Sequence, residues 1–223
     1  MRRSIAIIIA LIIIGIAIVF AMFRGGREST VKKTDVVAAG DTVDSTGKVK
    51  PAMDELLGVY SVDSKEGNAE LLFNIDGLKS TTGAFEKFNV ELNIPDDFTK
   101  SALKVEIDAA SLNTENTMRD EHLLEPDFFD VKKFPKITYT ANSITYADSN
   151  YICSGDMQLL SLKKALSFDF DYVGGKDEDQ RRIEVFEGEF VFDRTNYGME
   201  ESSGIGNDVT ITFYVELEKD TNK

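Results

Sequence analysis

The sequence predicts an all-β domain over residues 58–220, with about eight or nine antiparallel strands. Apolar and polar residues alternate with a period of two through most of this range, as they do in strands that bury one face. The opposite faces of the same runs carry Lys, Asp, Glu and Thr, which is typical of antiparallel sheets. Turn residues such as Pro95-Asp96-Asp97 and Gly174-Gly175 separate the runs. An antiparallel set of this size forms a sandwich or a closed barrel.

The apolar face of these strands is rich in aromatic residues and defines a candidate interior. Ten inward positions are candidate wall residues of a ligand site: Phe73, Phe88, Leu103, Val105, Tyr139, Met157, Phe168, Phe170, Phe190 and Phe213. Barrels of about eight strands either fill their interior with side chains or hold one small ligand. The alternation of residues leaves both alternatives open.

The apolar phase changes once near the end of the domain. Ile183 and Val185 are odd-numbered, whereas Phe186 and the apolar residues that follow it are even-numbered. This change predicts a β-bulge between residues 185 and 186. With the bulge, Glu187 and Glu189 face solvent, which avoids burying two unpaired carboxylates.

The stretch from 116 to 130 lacks the alternation of the strands. Its sequence, NTMRDEHLLEPDFFD, predicts a short helix followed by a turn. We therefore expect a helical insertion within the β domain.

The amino-terminal region predicts a membrane segment and a linker. Residues 5–23 are 19 residues without a charge, and as a helix they would span ~28 Å, close to the hydrocarbon thickness of a bilayer. We assign 1–23 to a signal anchor and 24–57, which is rich in Gly, Ser, Thr and Asp, to a flexible linker. A cleaved signal peptide is the alternative, but its apolar region is usually shorter and ends in an A-x-A-like site.

The composition excludes several classes of function. The chain has 25 basic and 39 acidic residues, one His, one Cys and no Trp. A single Cys forms no intrachain disulfide, and one His with one Cys does not supply a multi-residue zinc site. The acidic balance disfavours nucleic acid as a partner. Because neither His122 nor Cys153 lies in a marked catalytic arrangement, we expect no enzyme activity and no cofactor.

Several short motifs occur in order through the domain. They are Tyr60-Ser61-Val62-Asp63, Gly83-x-Phe85, Ile107-Asp108-x-x-Ser111-Leu112, Arg119-Asp120-x-His122-Leu123, Asp127-Phe128-Phe129, Phe134-Pro135 and Arg194-x-x-Tyr197-Gly198. In these residues the domain resembles the YceI-like family of secreted or periplasmic lipocalin-like proteins, which bind polyisoprenoid lipids. The sequence departs from the family at Ser161–Ala165, where the family has a Gly-x-Thr-Lys-Pro turn, and this departure affects the identity of the ligand more than the fold.

The resemblance implies a lipocalin-like barrel of about eight strands with an elongated apolar channel. It also implies that the segment from Arg119 to Pro135 packs over the barrel with Leu123, Leu124, Phe128 and Phe129 facing inward. Five residues of this segment form its structural motif: Arg119, Asp120, His122, Phe128 and Phe129. Within it, Arg119 and Asp120 are expected to form an ion pair. The alternative is a lid or plug that makes no contact with a ligand.

The expected function is that of a membrane-tethered binding protein. The resemblance implies a polyisoprenoid or another long-chain lipid as the partner, and residues 5–23 supply the contact with the membrane. The positive charges that flank this segment are nearly balanced, so we draw partly on the resemblance in expecting a cytoplasmic amino terminus and a periplasmic barrel. The alternative function is an acidic, non-catalytic interaction module whose barrel core is filled.

Overall fold

A computed structural model describes residues 29–221 of the chain, except for 32, 34–35, 37–41, 44–48, 51–55, 79 and 148–149. The described strands are β1 (Thr42–Val43), β2 (Val49–Lys50), β3 (Gly58–Asp63), β4 (Ala69–Gly77), β5 (Thr81–Phe85), β6 (Phe88–Ile94), β7 (Ala102–Asp108), β8 (Leu112–Asn113), β9 (Lys136–Ala147), β10 (Asn150–Leu159), β11 (Leu162–Glu178), β12 (Arg181–Asp193) and β13 (Ile205–Lys219). One α-helix, α1 (Thr117–Leu123), lies between β8 and β9.

Eight strands form a closed antiparallel ring in the order β3, β6, β7, β9, β10, β11, β12 and β13. The longest ladder in the ring joins β12 to β13, from Ile183↔Glu218 to Asp193↔Asp208. β13 pairs with β3 only at Glu218 and Lys219, and the rest of the same edge pairs with β4. The structure confirms the predicted antiparallel barrel of eight strands, and it is not a sandwich.

The barrel has two different ends. We call the upper end the one formed by residues 76–81, by α1 and the turns that follow it, and by the connection 194–204 between β12 and β13. The lower end contains the loop 95–101, the turn at Asp179 and Gln180, and the start of β3. Both Asp179 and Gln180 have positive φ, of 50° and 67°, which allows the tight reversal between β11 and β12.

Two sequence predictions about this part of the barrel were wrong. Gly174-Gly175 is not a turn but lies inside β11, where the register with β12 shifts between Tyr172 and Gly174. The bulge is therefore on β11, because β12 keeps unbroken register with β13 through Val185 and Phe186. A β-bulge changes the phase of one strand against its neighbour. The sequence predicts this bulge on β12, but the structure has it on the paired strand β11.

The apparent phase change in β12 has a different cause, which is burial on the outer face. Val185 lies on the same face as Glu187 and is fully buried. Its partner Gly174 is approached by Val36, whose Cβ would lie 3.1 Å from a Cβ placed on the glycine. Glu187 and Glu189 lie on the outer face, as predicted, and Thr212 donates a hydrogen bond to Glu189.

Described parts of the predicted linker contact this outer face. The backbone N–H of Thr30 donates to Oε1 of Glu70 at 2.9 Å. Lys33 pairs with Glu187 and lies 5.8 Å from the ring centroid of Tyr214. The predicted membrane segment 5–23 lies outside the described residues, and within the described ranges no helix has the length and apolar character needed to cross a bilayer.

The predicted helical insertion is present. Asn116 caps α1, since its side-chain oxygen accepts a hydrogen bond from the N–H of Arg119 at 3.1 Å. The helix ends at Leu123, and turns carry the chain to β9 at Lys136. Within these turns, Phe129 N–H donates to the carbonyl of Leu123 and Val131 N–H to that of Leu124. The side chains of the same four residues pack against the buried core of the barrel.

We expect Gly155→Ala to destabilise the barrel at the contact between β9 and β10. A Cβ at Gly155 would lie 2.3 Å from the carbonyl oxygen of Thr140 and 2.6 Å from Cα of Ala141. Both are backbone atoms, so relief of the clash requires the strands to separate, at a cost of about 1–3 kcal/mol. Urea unfolding followed by circular dichroism measures this loss. Asp156→Ala is the matched control, since it removes only an exposed ion pair with Lys163, and equal losses in the two variants would contradict the prediction.

Candidate ligand-binding cavity

The barrel encloses a cavity of about 420 Å³, within the range of sites that bind small molecules. All ten predicted wall residues lie on it. They are Phe73, Phe88, Leu103, Val105, Tyr139, Met157, Phe168, Phe170, Phe190 and Phe213. The predicted alternation of the strands therefore located the inward side chains, although it left open whether they enclose space.

The interior of the barrel is hollow. Phe168, Phe190 and Phe213 point inward but are only partly buried, because the cavity beside them contains no protein atoms. The ring of Phe168 stacks on that of Phe190 with 4.6 Å between centroids, and Tyr139 lies 5.3 Å away on another side. The aromatic rings thus form a continuous wall, and the filled-core alternative is wrong.

The segment after β8 covers part of the upper end and contributes to the wall. Leu123, Phe128 and Phe129 line the cavity, as the resemblance implied, whereas Leu124 packs against the core beside it. The ring of Phe129 meets Phe85 of β5 edge-on, with 5.8 Å between centroids. His122 is solvent-exposed and lines the same opening. The segment therefore forms part of the cavity wall, and whether it contacts a ligand stays a prediction.

Arg119 and Asp120 meet at Thr114. Arg119 Nε donates to Oγ1 of Thr114 at 2.8 Å, and Nη2 donates to its carbonyl at 2.9 Å. Asp120 accepts from the N–H of the same threonine at 2.9 Å. The expected ion pair is replaced by this shared anchor, because Thr114 offers both donors and acceptors at the point where the chain leaves β8. Thr114 thereby fixes the first turn of α1.

Within the described part of the chain, charged wall residues lie only at the upper end. The ionisable wall side chains, apart from the Tyr139 phenol, are Asp76, Arg119, His122 and Arg194. Of these, Asp76 and His122 are exposed, and Arg194 is almost completely buried. The exposed residues Gly204 and Ile205 also lie on the wall. The cavity thus opens at the upper end, and its mouth is polar.

The lower end is closed by a buried polar cluster that sequence reasoning missed. Glu184 is fully buried, and its carboxylate accepts from Tyr172 Oη at 2.8 Å and from Arg182 Nε at 2.7 Å. Glu184 pairs with Leu217, an inward residue of β13, so it faces the interior. Tyr60 lies in the same region, and burial together with the Glu184 charge raises the pKa of its phenol.

Glycine makes room for this cluster. A Cβ at Gly175 would lie 2.3 Å from both Arg182 Nη2 and Glu184 Oε2. The Gly174-Gly175 pair predicts a turn in the sequence, whereas in the structure Gly175 leaves the space that this cluster occupies. Breaking a buried, hydrogen-bonded ion pair is strongly unfavourable, because removal of Arg182 would leave the Glu184 carboxylate buried without its opposite charge.

A second omission concerns Ile144, which also lines the cavity. In β9 the inward series is Ile137, Tyr139 and Ala141, which predicts residue 143 as the next inward position. The register between β9 and β10 shifts at this point, where Ser154 pairs with Ser143 and Gly155 with Ala141. The irregularity exchanges the two faces of β9 and turns Ile144 inward.

Cys153 is a structural thiol. It is fully buried, and burial raises the pKa of its thiol to about 11. Tyr139 Oη lies 3.6 Å from the sulfur and donates a stronger hydrogen bond to the carbonyl of Leu166 at 3.1 Å. A thiol with this pKa is a poor nucleophile, so the geometry gives Cys153 a packing role.

The sequence from residue 60 to residue 217 matches the family described as YceI-like domain. A UPF0312 protein of Vibrio cholerae serotype O1 is 24% identical over 162 residues, which cover 70% of this chain and 85% of the relative. Protein YceI of Escherichia coli O6:H1 is 28% identical over 123 residues, which cover 53% of this chain and 64% of the relative.

Two solved structures are similar to this fold. Burkholderia cenocepacia BcnA has a TM-score of 0.62 and 19% identity, over 71% of this chain and 99% of its own. A polyisoprenoid binding domain from Saccharophagus degradans, implicated in plant cell wall breakdown, has a TM-score of 0.56 and 13% identity, over 74% of this chain and 99% of its own. At these identities the likeness shows the fold alone.

We expect Cys153 to make the protein less stable in alkali. The thiol pKa is raised on folding, so its contribution to stability is complete below the unfolded value near 9 and is lost as the pH rises toward about 11. Over that interval the loss is about 1–3 kcal/mol. Urea unfolding of the wild type and of Cys153→Ala, each at about pH 8 and about pH 11, measures it. The wild type should lose more stability than the variant, and parallel losses would contradict the assignment.

Proposed function

Because this chain belongs to the YceI-like family, we propose that its barrel binds a long-chain apolar lipid of the polyisoprenoid type. The observation that carries the proposal is the hollow interior, which is walled by apolar side chains and opens at one polar end. A solved structure of the same fold is described as a polyisoprenoid binding domain. The proposed role is binding and shielding of the lipid, without chemical conversion.

The energetics of the cavity favour such a ligand. Burial of apolar surface contributes roughly 25 cal/mol per Å², so each buried CH₂ group of a lipid tail adds about 0.8 kcal/mol. The partly exposed wall residues, such as Phe168 and Phe213, lose their remaining contact with water when a tail occupies the cavity. A branched or unbranched hydrocarbon chain needs no hydrogen bonds from such a wall, which matches the mostly apolar side chains that line the cavity.

Exposed apolar side chains at the upper end support a membrane as the source of the lipid. Leu78 and Met118 are 90% and 81% exposed, and they lie in the β4–β5 turn and in α1. Ile205, at the start of β13, is both exposed and part of the wall. Clustered exposed apolar residues mark contact sites for apolar partners. A lipid that leaves a bilayer would pass these residues before it enters the barrel.

Tethering is the second part of the proposal. Residues 5–23 form an uncleaved signal anchor, the amino terminus lies in the cytoplasm, and the barrel lies in the periplasm. The support is the uncharged run of 19 residues, which has the length of a membrane-spanning helix. An anchored barrel stays close to the bilayer that holds its lipid, so the tether increases the local concentration of the ligand.

A substitution that fills the cavity should abolish lipid binding. Val105 lies on the wall, between Val90 of β6 and Tyr139 of β9, so Val105→Trp occupies the space of the lipid tail. Lys104→Trp is the matched control, because it places the same side chain on the exposed face of the same strand. Native mass spectrometry of the full chain in detergent micelles, followed by solvent extraction, measures the bound lipid. We expect a stoichiometric prenyl lipid on the wild type and on Lys104→Trp, and less than a tenth as much on Val105→Trp. A wild type that stays empty after incubation with polyprenyl lipids would overturn the proposed function.

Removal of residues 1–23 should release the protein from membranes. The full chain is expected to remain in the membrane fraction after an alkaline carbonate wash, and protease added to spheroplasts should digest the barrel. The shortened chain, directed to the periplasm by an unrelated cleavable signal, is expected in the soluble fraction. An intact mass of the purified full-length gene product that lacks the first 23 residues would instead show cleavage of the segment.

A further inference from the structure

The outer face of the barrel contains a buried patch. Tyr214 of β13 faces away from the cavity, because its neighbours Phe213 and Val215 line the cavity, yet only 5% of Tyr214 is exposed. Glu70 pairs with Tyr214 in the β4–β13 ladder and is only 8% exposed. The outer face of an antiparallel barrel normally contacts water, so other parts of the chain cover this patch.

Part of the cover is a segment that precedes β1, and we call its three contacting residues the strap: Thr30, Lys33 and Val36. Thr30 donates to Oε1 of Glu70 from its N–H at 2.9 Å and from Oγ1 at 3.3 Å. Lys33 forms an ion pair with Glu187 of β12. Val36 lies against Gly174 of β11, where a Cβ on the glycine would come within 3.1 Å of it.

The strap crosses four strands in the order in which they lie in the sheet. β4 pairs with β13, β13 with β12 and β12 with β11. Three steps between neighbouring strands amount to about 14 Å, and an extended chain from residue 30 to residue 36 spans up to about 20 Å. One extended segment therefore reaches β4, β12 and β11 in turn, and the contacts together form a binding site for it.

Glu70 makes this contact specific. A buried carboxylate is unfavourable unless it accepts hydrogen bonds, and within the described ranges both hydrogen bonds to the Glu70 side chain come from Thr30. The charges are also complementary, since the ammonium of Lys33 pairs with Glu187 and lies 5.8 Å from the ring centroid of Tyr214. Loss of the strap would remove the donors of Glu70 and a cation from an acidic face.

We propose that the strap is a docking segment that shortens the tether and keeps the barrel at the membrane that anchors it. This inference rests on the proposed anchor at residues 5–23 and specifies how the anchor positions the barrel. A free linker of residues 24–57 spans up to about 120 Å at full extension, whereas residues 24–29 span at most about 25 Å. The bound strap thus confines lipid exchange to the bilayer surface beside the anchor.

The shortened tether still allows the mouth of the cavity to reach the bilayer. The part of β13 from Tyr214, beside the strap, to Ile205 at the upper end is about 30 Å long at about 3.3 Å per residue. Strands in small barrels tilt by about 35–45°, so this length is about 20–25 Å along the barrel axis. Residues 24–29 cover the same distance when extended. The exposed side chains of Leu78 and Ile205 can therefore meet the bilayer while the strap stays bound.

The first measurement is the accessibility of the strap in the full chain, reconstituted in phosphatidylcholine vesicles. The native Cys153 is fully buried, so maleimide labels an introduced thiol selectively. We expect Val36→Cys to react at least fivefold more slowly than Lys104→Cys, which lies on the exposed face of β7. Glu70→Ala combined with Glu187→Lys should remove this protection. Glu189→Lys is the matched control, because it makes the same charge change on the outer face of β12 beyond the strap contacts.

The second measurement is the length of the tether in the same vesicles. A donor dye on Lys104→Cys transfers energy to an acceptor dye dissolved in the bilayer, and the transfer falls as the barrel moves away. We expect Glu70→Ala combined with Glu187→Lys to lower the transfer at least twofold, because the whole of residues 24–57 then extends. Glu189→Lys should keep the transfer of the unsubstituted barrel.

Every other result counts against a defined part of the proposal. Equal reactivity of Val36→Cys and Lys104→Cys overturns the strap and leaves the anchor and lipid binding intact. Faster labelling without lower energy transfer also overturns the proposal, because the strap then binds without limiting the tether. A chain that the vesicles do not retain, with Val36→Cys still protected, overturns the proposed anchor instead.

A variant in the strap itself covers the case in which the doubly substituted barrel does not fold. Lys33→Glu places a like charge opposite Glu187 and leaves the sequence of the barrel unchanged. We expect it to raise the labelling of Val36→Cys and to lower the energy transfer in the same direction as the double substitution. A folded Lys33→Glu variant with unchanged labelling and unchanged transfer overturns the proposal.

Discussion

The ladder between β12 and β13 is the interaction on which the rest of the structure depends. It runs without a break from Ile183↔Glu218 to Asp193↔Asp208 and closes the ring of strands. Closure removes the exposed edges that an open sheet of this size would present. The backbone hydrogen bonds of the ring lie within its wall, between neighbouring strands and between β13 and β4, so the wall forms without filling the interior. The cavity is thus a consequence of how the sheet closes.

The same ladder separates two arginines with different partners. Arg182, near the start of β12, donates to Glu184 and is neutralised inside the protein. Arg194, just past the other end of the strand, is held by two carbonyls and has no such carboxylate. The lower cation is paired with carboxylates, and the upper cation is buried at the wall of the upper end. β12 therefore contributes to both the lower end and the open upper end of the barrel.

The sequence was sufficient to predict the barrel and its wall, but not the details set by strand pairing. Alternation identified all ten candidate wall residues because the inward face of each strand is apolar along most of its length. Alternation gave the wrong face for Ile144, because a register shift exchanges the two faces of β9. It also gave the wrong face for Val185, because this residue is buried on the outer face of β12. Register shifts depend on the neighbouring strand, which a single run of residues does not encode. The Glu184 cluster likewise depends on strand pairing, because Tyr172 of the neighbouring β11 donates to its carboxylate.

A hollow barrel links binding to stability. Wall residues such as Phe168 and Phe190 lack packing partners on the cavity side, so the empty protein forgoes dispersion contacts that a filled core would make. A ligand that fills the space restores those contacts and binds only the folded state, so it stabilises the fold in proportion to its affinity and concentration. The long ladders of β11, β12 and β13 supply the stability that the interior lacks. The fold can therefore keep its binding space open because the strand ladders and the buried apolar cluster around the cavity hold it together.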